Sequence, residues 1–229
     1  MGLKKYTVSK NKYYMNNDWK NHNQHSLEME LTSKCTLGCP SCPRNLDGKG
    51  QNERWDFGHF DTNLAKHIAD TTSYYQYLFI GCYGDVIYHP DFLEICDYYQ
   101  NTRNKKLVIH TNGSAKPKKF WDTAASLTWN KQTEFHFAVD GLSDTNHIYR
   151  INSKWDQIEY AMRTMCSIPY GKRPIMIWKY LIFPYNEHQV EQARELAAEI
   201  GFDKFHAVRS WRNPRRYPTE MRDLYVFKD

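Results

Sequence analysis

The sequence predicts an α/β fold: a partial (β/α)6 barrel on a curved, mainly parallel six-stranded sheet. Three observations predict it. Six short segments are apolar, β-branched or aromatic, and most end in Gly, Asn, Asp or Pro. Helical patterns fill the gaps between them, and strand–helix alternation calls for parallel pairing through right-handed crossovers. Six such units fall short of the eight of a closed barrel, so the sheet is expected to stay open.

The first strand segment, 26–32 (SLEMELT), alternates strictly, with Leu27, Met29 and Leu31 on one face. The next are 75–81 (YQYLFIG), 106–113 (KLVIHTNG), 133–141 (TEFHFAVDG), 175–183 (IMIWKYLIF) and 204–209 (KFHAVR). Helices are expected over 60–72, with Asp61 as N-cap, and over 89–101 and 117–129, each with a proline near its first turn. Two more are expected over 154–166 and 186–201. In the last, Val190, Ala193, Leu196, Ala197 and Ile200 make one apolar stripe, Asn186 is placed to cap the start, and Gly201 to end it.

At 229 residues, 41% hydrophobic and 15% aromatic, the chain suits one sizeable domain. It divides into a polar N-terminal extension (1–25), a core domain (26–209) and a basic, aromatic C-terminal tail (210–229). No apolar run approaches the roughly 20 residues of a membrane helix, and the basic start is not followed by the apolar stretch of a secretion signal. The expected location is the cytoplasm, with no membrane partner. A net charge of +5 is mild. Its one dense cluster, Arg209, Arg212, Arg215 and Arg216 around Trp211, suits nucleic acid or an acidic peptide, or simply a solvated tail.

In open sheets of this kind chemistry gathers at the carboxyl ends of the strands. Directly after the first strand, KCTLGCPSCPRN places Cys35, Cys39 and Cys42 on one tight loop. The other cysteines stand apart: Cys96 and Cys166 in apolar helical patterns, as small buried hydrophobes, and Cys82 in the turn after the second strand. A structural zinc site closes four ligands, usually as two pairs. No second CxxC exists here, and zinc would have to borrow a distant His89 or His110. Three thiolates instead fit one face of a [4Fe–4S] cube, leaving one iron open to a small molecule.

The later strand ends carry further unusual residues. After the second comes IGCYGDVIYHPDF, where Asp85 can receive an ammonium or merely cap a helix. The third ends in HTNG, whose Thr111 and Asn112 can bond hydroxyls or a carboxylate, or form an ordinary Asn-Gly turn. The fourth ends in FAVDGLSDTNHIYRI, with Asp140 and Arg150.

This order of pieces resembles the radical S-adenosylmethionine enzymes, whose signature is CxxxCxxC after the first strand. The resemblance covers roughly residues 26–209. It implies that Cys35, Cys39 and Cys42 hold a [4Fe–4S] cluster whose free iron chelates S-adenosylmethionine. One electron then cleaves the sulfonium to methionine and a 5′-deoxyadenosyl radical, which removes hydrogen from a substrate. By the same resemblance, Tyr83, Gly84 and Asp85 form the turn around the methionine ammonium. Thr111 and Asn112 bond ribose or carboxylate, Asp140 lies at the cofactor, and Arg150 pairs with the methionine carboxylate. Ser41 and Leu181 would lie near the adenine.

The sequence departs from the family pattern at Tyr83 (usually Gly), Val86 (usually Pro), Ala138 (usually Ser) and Ser41 (usually aromatic). The resemblance also implies a flavodoxin- or ferredoxin-type electron donor. The substrate it suggests is organic, with a peptide or protein side chain ahead of a small molecule or nucleotide. The alternatives are an activase for a glycyl-radical enzyme, a non-catalytic iron–sulfur or zinc-binding protein, and a basic binding module.

Overall fold

Alternation sorts the strand segments into a single sheet with two unlike faces. Residues 26–45, 52, 56–74, 76–79 and 84–210 are described in the computed structural model of the chain. The extension 1–25, Tyr83, Cys82 and the tail beyond Ser210 lie outside the described residues. The strands are β1 (Ser26–Met29), β2 (Gln76–Phe79), β3 (Lys106–Thr111), β4 (Glu134–Ala138), β5 (Ile175–Ile182) and β6 (Lys204–Arg209). They pair in sequence order, every pair parallel, in one curved sheet that does not close. The expected partial barrel is therefore what forms. Each strand but β6 is shorter than its apolar segment because the last residues leave the ladder to build the loops.

The helices are α1 (Thr62–Thr71), α2 (Phe92–Asp97), α3 (Lys118–Ser126), α4 (Asn146–Tyr149), α5 (Trp155–Cys166) and α6 (Val190–Ile200). Their apolar stripes meet one face of the sheet: Ala65, Ile95, Trp121, Met162 and Ala197 share a core with Phe79, Ile109, Phe137 and Trp178. Each large side chain fully buried there contributes ~1.5–3 kcal/mol. Cys96 is fully buried in this core and Cys166 packs against it, as expected of small hydrophobes. Among the described residues no helix is long and apolar enough to cross a membrane.

Asp61 caps α1 by accepting the Leu64 N–H at 2.7 Å. Gly201 ends α6 at φ +100°, a left-handed conformation that glycine adopts without a Cβ penalty. Two elements differ from expectation. The segment 89–101 is not one helix: α2 runs only to Asp97 and widens into a π-helical turn over Tyr98–Thr102. The four-residue α4 between β4 and α5 shows no apolar stripe in the sequence.

Asn186 does not cap the helix that follows it. Its side chain turns to the sheet instead. Nδ2 donates to the Asp140 carbonyl at 2.7 Å and the Leu181 carbonyl at 2.9 Å, while Oδ1 accepts the Phe183 N–H at 2.7 Å. It is fully buried and ties the ends of β4 and β5 together. Tyr180 lies in the helix-side core and donates its hydroxyl to the Asn186 carbonyl at 2.9 Å. Its neighbour on β5, Lys179, lies outside that core, on the opposite, concave face of the sheet.

Removing Asn186 leaves a buried N–H and two carbonyls unpaired. Asn186→Ala is expected to cost about 3 kcal/mol, read as a lower urea midpoint with an unchanged slope.

Candidate active site

The cysteine loop is braced on every side. The Asp85 N–H donates to the Lys34 carbonyl at 3.0 Å, joining the loop to the turn after β2. The Gly38 N–H donates to the Ile151 carbonyl at 3.0 Å, joining it to the segment after α4. Arg44 donates to the Leu37 carbonyl, and Asn45 Nδ2 reaches both the Leu37 and Cys39 carbonyls at 3.4 Å. Both side chains are buried although the loop is polar in sequence. The Cys42 N–H turns back to the Cys39 carbonyl at 3.0 Å, which places the second and third cysteines on one turn.

Cys35, Cys39 and Cys42 lie in a small apolar cluster, separate from the main core, with Leu37, Tyr149, Leu181 and Phe183. The rings of Tyr149 and Phe183 pack at 4.7 Å. Cys35 Sγ accepts the Leu37 N–H at 3.4 Å and Asn112 Nδ2 at 3.6 Å. Burial pushes the Cys35 thiol up to about 12, and the Asp85 carboxylate adds to this. The Leu37 N–H and the Arg44 guanidinium pull the other way.

Among the described residues no three His, Cys, Asp or Glu side chains gather closely enough for a single metal ion. A cube takes its three thiolates on three different irons, so its ligands stand further apart than those of one ion. Three cysteines on one braced loop, in an apolar pocket with N–H donors to sulfur, suit the larger group. A bound metal would displace the thiol protons that burial otherwise retains.

Gly84 sits hard against this loop: a Cβ there would lie 1.9 Å from the Thr32 carbonyl oxygen. Only glycine lets the two backbones approach so closely. Next to it, Asp85 is buried, and its carboxylate accepts the Thr111 hydroxyl at 3.1 Å and the Asn112 N–H at 3.0 Å. It also accepts the Ile87 N–H at 3.4 Å, so it caps the short helical turn over Val86–Tyr88. The Thr111 hydroxyl in turn accepts the Gly113 N–H at 3.0 Å. Thr111 is thus engaged within the loops, while Asn112 carries the contact to the cysteine.

Asp140 is fully buried and its carboxylate is divided between two partners. One oxygen accepts Arg150 Nε at 2.7 Å, the other the Leu181 N–H at 2.8 Å. Burial opposes the charge on Arg150, but Asp140 and the nearby Cys39 outweigh it and hold the guanidinium above its ordinary pKa. Ser41 Oγ is buried with no hydrogen-bond partner among the described residues. Gly84, Asp85, Thr111, Asn112, Asp140, Arg150 and Leu181 therefore gather about the loop that carries Ser41, while Tyr83 lies outside the described residues. Arg44, Asn45, Tyr149, Phe183 and Asn186 belong to the same mouth. Of these, the run Arg44-Asn45 follows Cys42 and its proline directly, and Asn186 carried a signal only as a helix cap.

No protein-family model matches the sequence, and no curated protein does. Solved structures do. SuiB from Streptococcus suis, bound to S-adenosylmethionine, superimposes with a TM-score of 0.62 at 14% identity, covering 80% of this chain and 40% of that one. The protein anSMEcpe with bound AdoMet gives 0.58 at 13%, covering 81% and 51%. The fold is that of the radical S-adenosylmethionine enzymes. TYW1 with a lysine-pyruvate adduct bound superimposes at a TM-score of 0.58 and 10% identity, over 86% of this chain and 67% of that one. The chain thus spans about half the length of SuiB and anSMEcpe, or less.

Burial raises the Asp85 carboxyl from 3.8 to about 6, against the pull of the Asn112 N–H, the Thr111 hydroxyl and the Ile87 N–H. Between those values the folded state holds a proton that the unfolded state has released, so stability falls as pH rises from about 4 to about 6. The expected loss is ~2–3 kcal/mol. Denaturant melts at both ends of that window check it: the drop should shrink in Asp85→Asn.

Proposed function

We propose that the chain is a radical S-adenosylmethionine enzyme that abstracts hydrogen from an organic substrate. The observation that carries this reading is the meeting of a three-cysteine loop with Asn112, Asp85 and Arg150 at the carboxyl ends of the strands, within this fold. Cys35, Cys39 and Cys42 would hold a [4Fe–4S] cluster, which when bound supplies an open iron and the electron that cleaves the sulfonium.

The protein's own residues account for binding and orientation. Asp85, buried and already accepting N–H and O–H donors, is suited to the methionine ammonium, whose positive charge would relieve the cost of burying its carboxylate. Arg150 is fixed through Nε by Asp140, leaving its terminal nitrogens to face a carboxylate as a fork. Asp140 is on this reading a positioning residue. Asn112 would orient both Cys35 and the bound nucleoside, and Leu181 with the apolar cluster around Cys39 would exclude water beside the adenine. Ser41 Oγ offers a buried group to the same ligand.

A peptide or protein side chain leads as substrate, supported by two of the similar proteins: SuiB bound to its precursor peptide SuiA, and anSMEcpe with a bound peptide. A reductant of the flavodoxin or ferredoxin type would supply the electron, and the cytoplasm would supply the reducing setting.

Anaerobic reconstitution with iron and sulfide, followed by dithionite and S-adenosylmethionine, is expected to yield 5′-deoxyadenosine. Cys35→Ala, Cys39→Ala and Cys42→Ala should each abolish it. Stoichiometric zinc without a brown chromophore would sink the proposal in favour of a zinc protein.

A further inference from the structure

The concave face of the sheet, away from the helices, carries titratable side chains among branched apolar ones such as Val108 and Ile177, where a packed barrel would hold apolar residues alone. Lys106 and His110 from β3, Glu134 and His136 from β4, Lys179 from β5, and Lys204 and His206 from β6 alternate with strand residues in the helix-side core. β2 adds no charge there, only Gln76 and Leu78. The register sets His110 beside His136, and Lys179 between Ala138 and His206.

The imidazoles of His110 and His136 stack with centroids 4.5 Å apart and planes at 18°. Lys179 Nζ lies 3.5 Å from His110 Nε2. Basic groups therefore outnumber acids. Glu134 is already engaged, by Lys106 at 3.2 Å and by His136 Nε2 at 2.8 Å.

Two features ask for a ligand. Lys179 is half-buried and makes no ion pair among the described residues; its polar neighbour is a ring nitrogen. His136 is only 7% exposed, and its Nδ1 has no hydrogen-bond partner among the described residues. Glu134 acts on Lys179 only from a distance, and a half-buried ammonium with no contact ion pair and a buried ring nitrogen without a partner both cost free energy. One acceptor-rich anion would satisfy both. His110 stands two residues before Asn112 on β3, about 6.6 Å along the strand, so the patch lies just below the cysteine loop.

We propose that this concave patch binds an oxyanion of the substrate, a carboxylate or a phosphate, with Lys179, His110 and His136 as its donors. That the oxyanion belongs to the substrate rests on the radical S-adenosylmethionine reading; that the patch binds one does not. With Lys179 donating to His110 Nε2, His110 offers Nδ1–H. His136, which faces Glu134 through Nε2, offers Nδ1–H only once protonated, so the anion and a proton bind together. Burial holds His110, His136 and His206 below the ordinary imidazole range, and Lys179 below that of a free lysine. A bound anion raises all four, and protons are taken up.

Calorimetric titration of the full chain with sulfate and with acetate, at about pH 6 where imidazoles titrate, tests this in two buffers of different ionisation enthalpy. Neither probe titrates there, so proton uptake reports the protein. Saturable binding with net proton uptake is expected; a preference for sulfate marks a phosphate substrate, one for acetate a carboxylate. Lys179→Met should weaken binding by about tenfold or more, and Lys179→Arg should retain it. The Met variant should also melt roughly 2–4 °C higher, because an uncompensated ammonium is gone; a merely structural lysine would give the opposite shift.

No saturable binding of either anion, or equal binding in Lys179→Met, overturns the proposal. None of these readings requires the cluster or S-adenosylmethionine. Intact oxyanion binding without 5′-deoxyadenosine formation would thus strike the enzymatic function and leave this site.

Discussion

The mouth of the sheet is organised around one buried carboxylate. Asp140 leaves β4 with no exposure to solvent and answers four partners: Arg150 Nε and the Leu181 N–H on its oxygens, Asn146 Oδ1 on its own N–H, and Asn186 Nδ2 on its carbonyl. Those partners belong to β5, to α4 and to the turns on either side. A charge so deeply placed is tolerated only when paired and fully hydrogen-bonded, and taking away one partner is far more damaging than replacing the whole group. Arg150 owes its orientation to this node, and the segment following it holds the cysteine loop through Ile151.

A second carboxylate, Asp85, plays the matching part between β2 and β3, drawing the Thr111-Asn112 corner onto the turn that begins at Gly84. The two nodes share a logic. The ends of β2 and β3, and those of β4 and β5, are joined by bonds from a side chain to the neighbour's backbone, so these loops are set relative to one another without a closed barrel. Asn112 then carries the order of β3 directly to Cys35.

What the sequence made legible was whatever depends on local period and order. The strands, their parallel succession, the caps at Asp61 and Gly201, and the loop positions of the unusual residues all follow from neighbours along the chain. Asn186 did not, because its position suited a cap as well as a tether, and only the nearness of Asp140 and Leu181 decides between them. Thr111 and Asp140 were likewise legible as strand-end residues, yet Asp85 on the one and Leu181 on the other lie far away in sequence. The concave patch is an instructive middle case. Lys106 and His110 in KLVIHT, and Glu134 and His136 in TEFHFAV, already mark one face as unlike a core, but their meeting across three strands needs the register.

The bracing of the cysteine loop has a consequence for how the protein matures. Lys34, Leu37, Gly38 and Cys39 are tied through their main chain to Asp85, Arg44, Ile151 and Asn45 by contacts that involve no thiol. Small zinc modules need their metal in order to fold, because the metal itself must order the ligand loops. Here the ordering entropy of the loop is met by folding alone. On the proposed reading the chain would therefore fold first and be loaded afterwards, as a finished socket that could receive, lose and regain a cluster without unfolding.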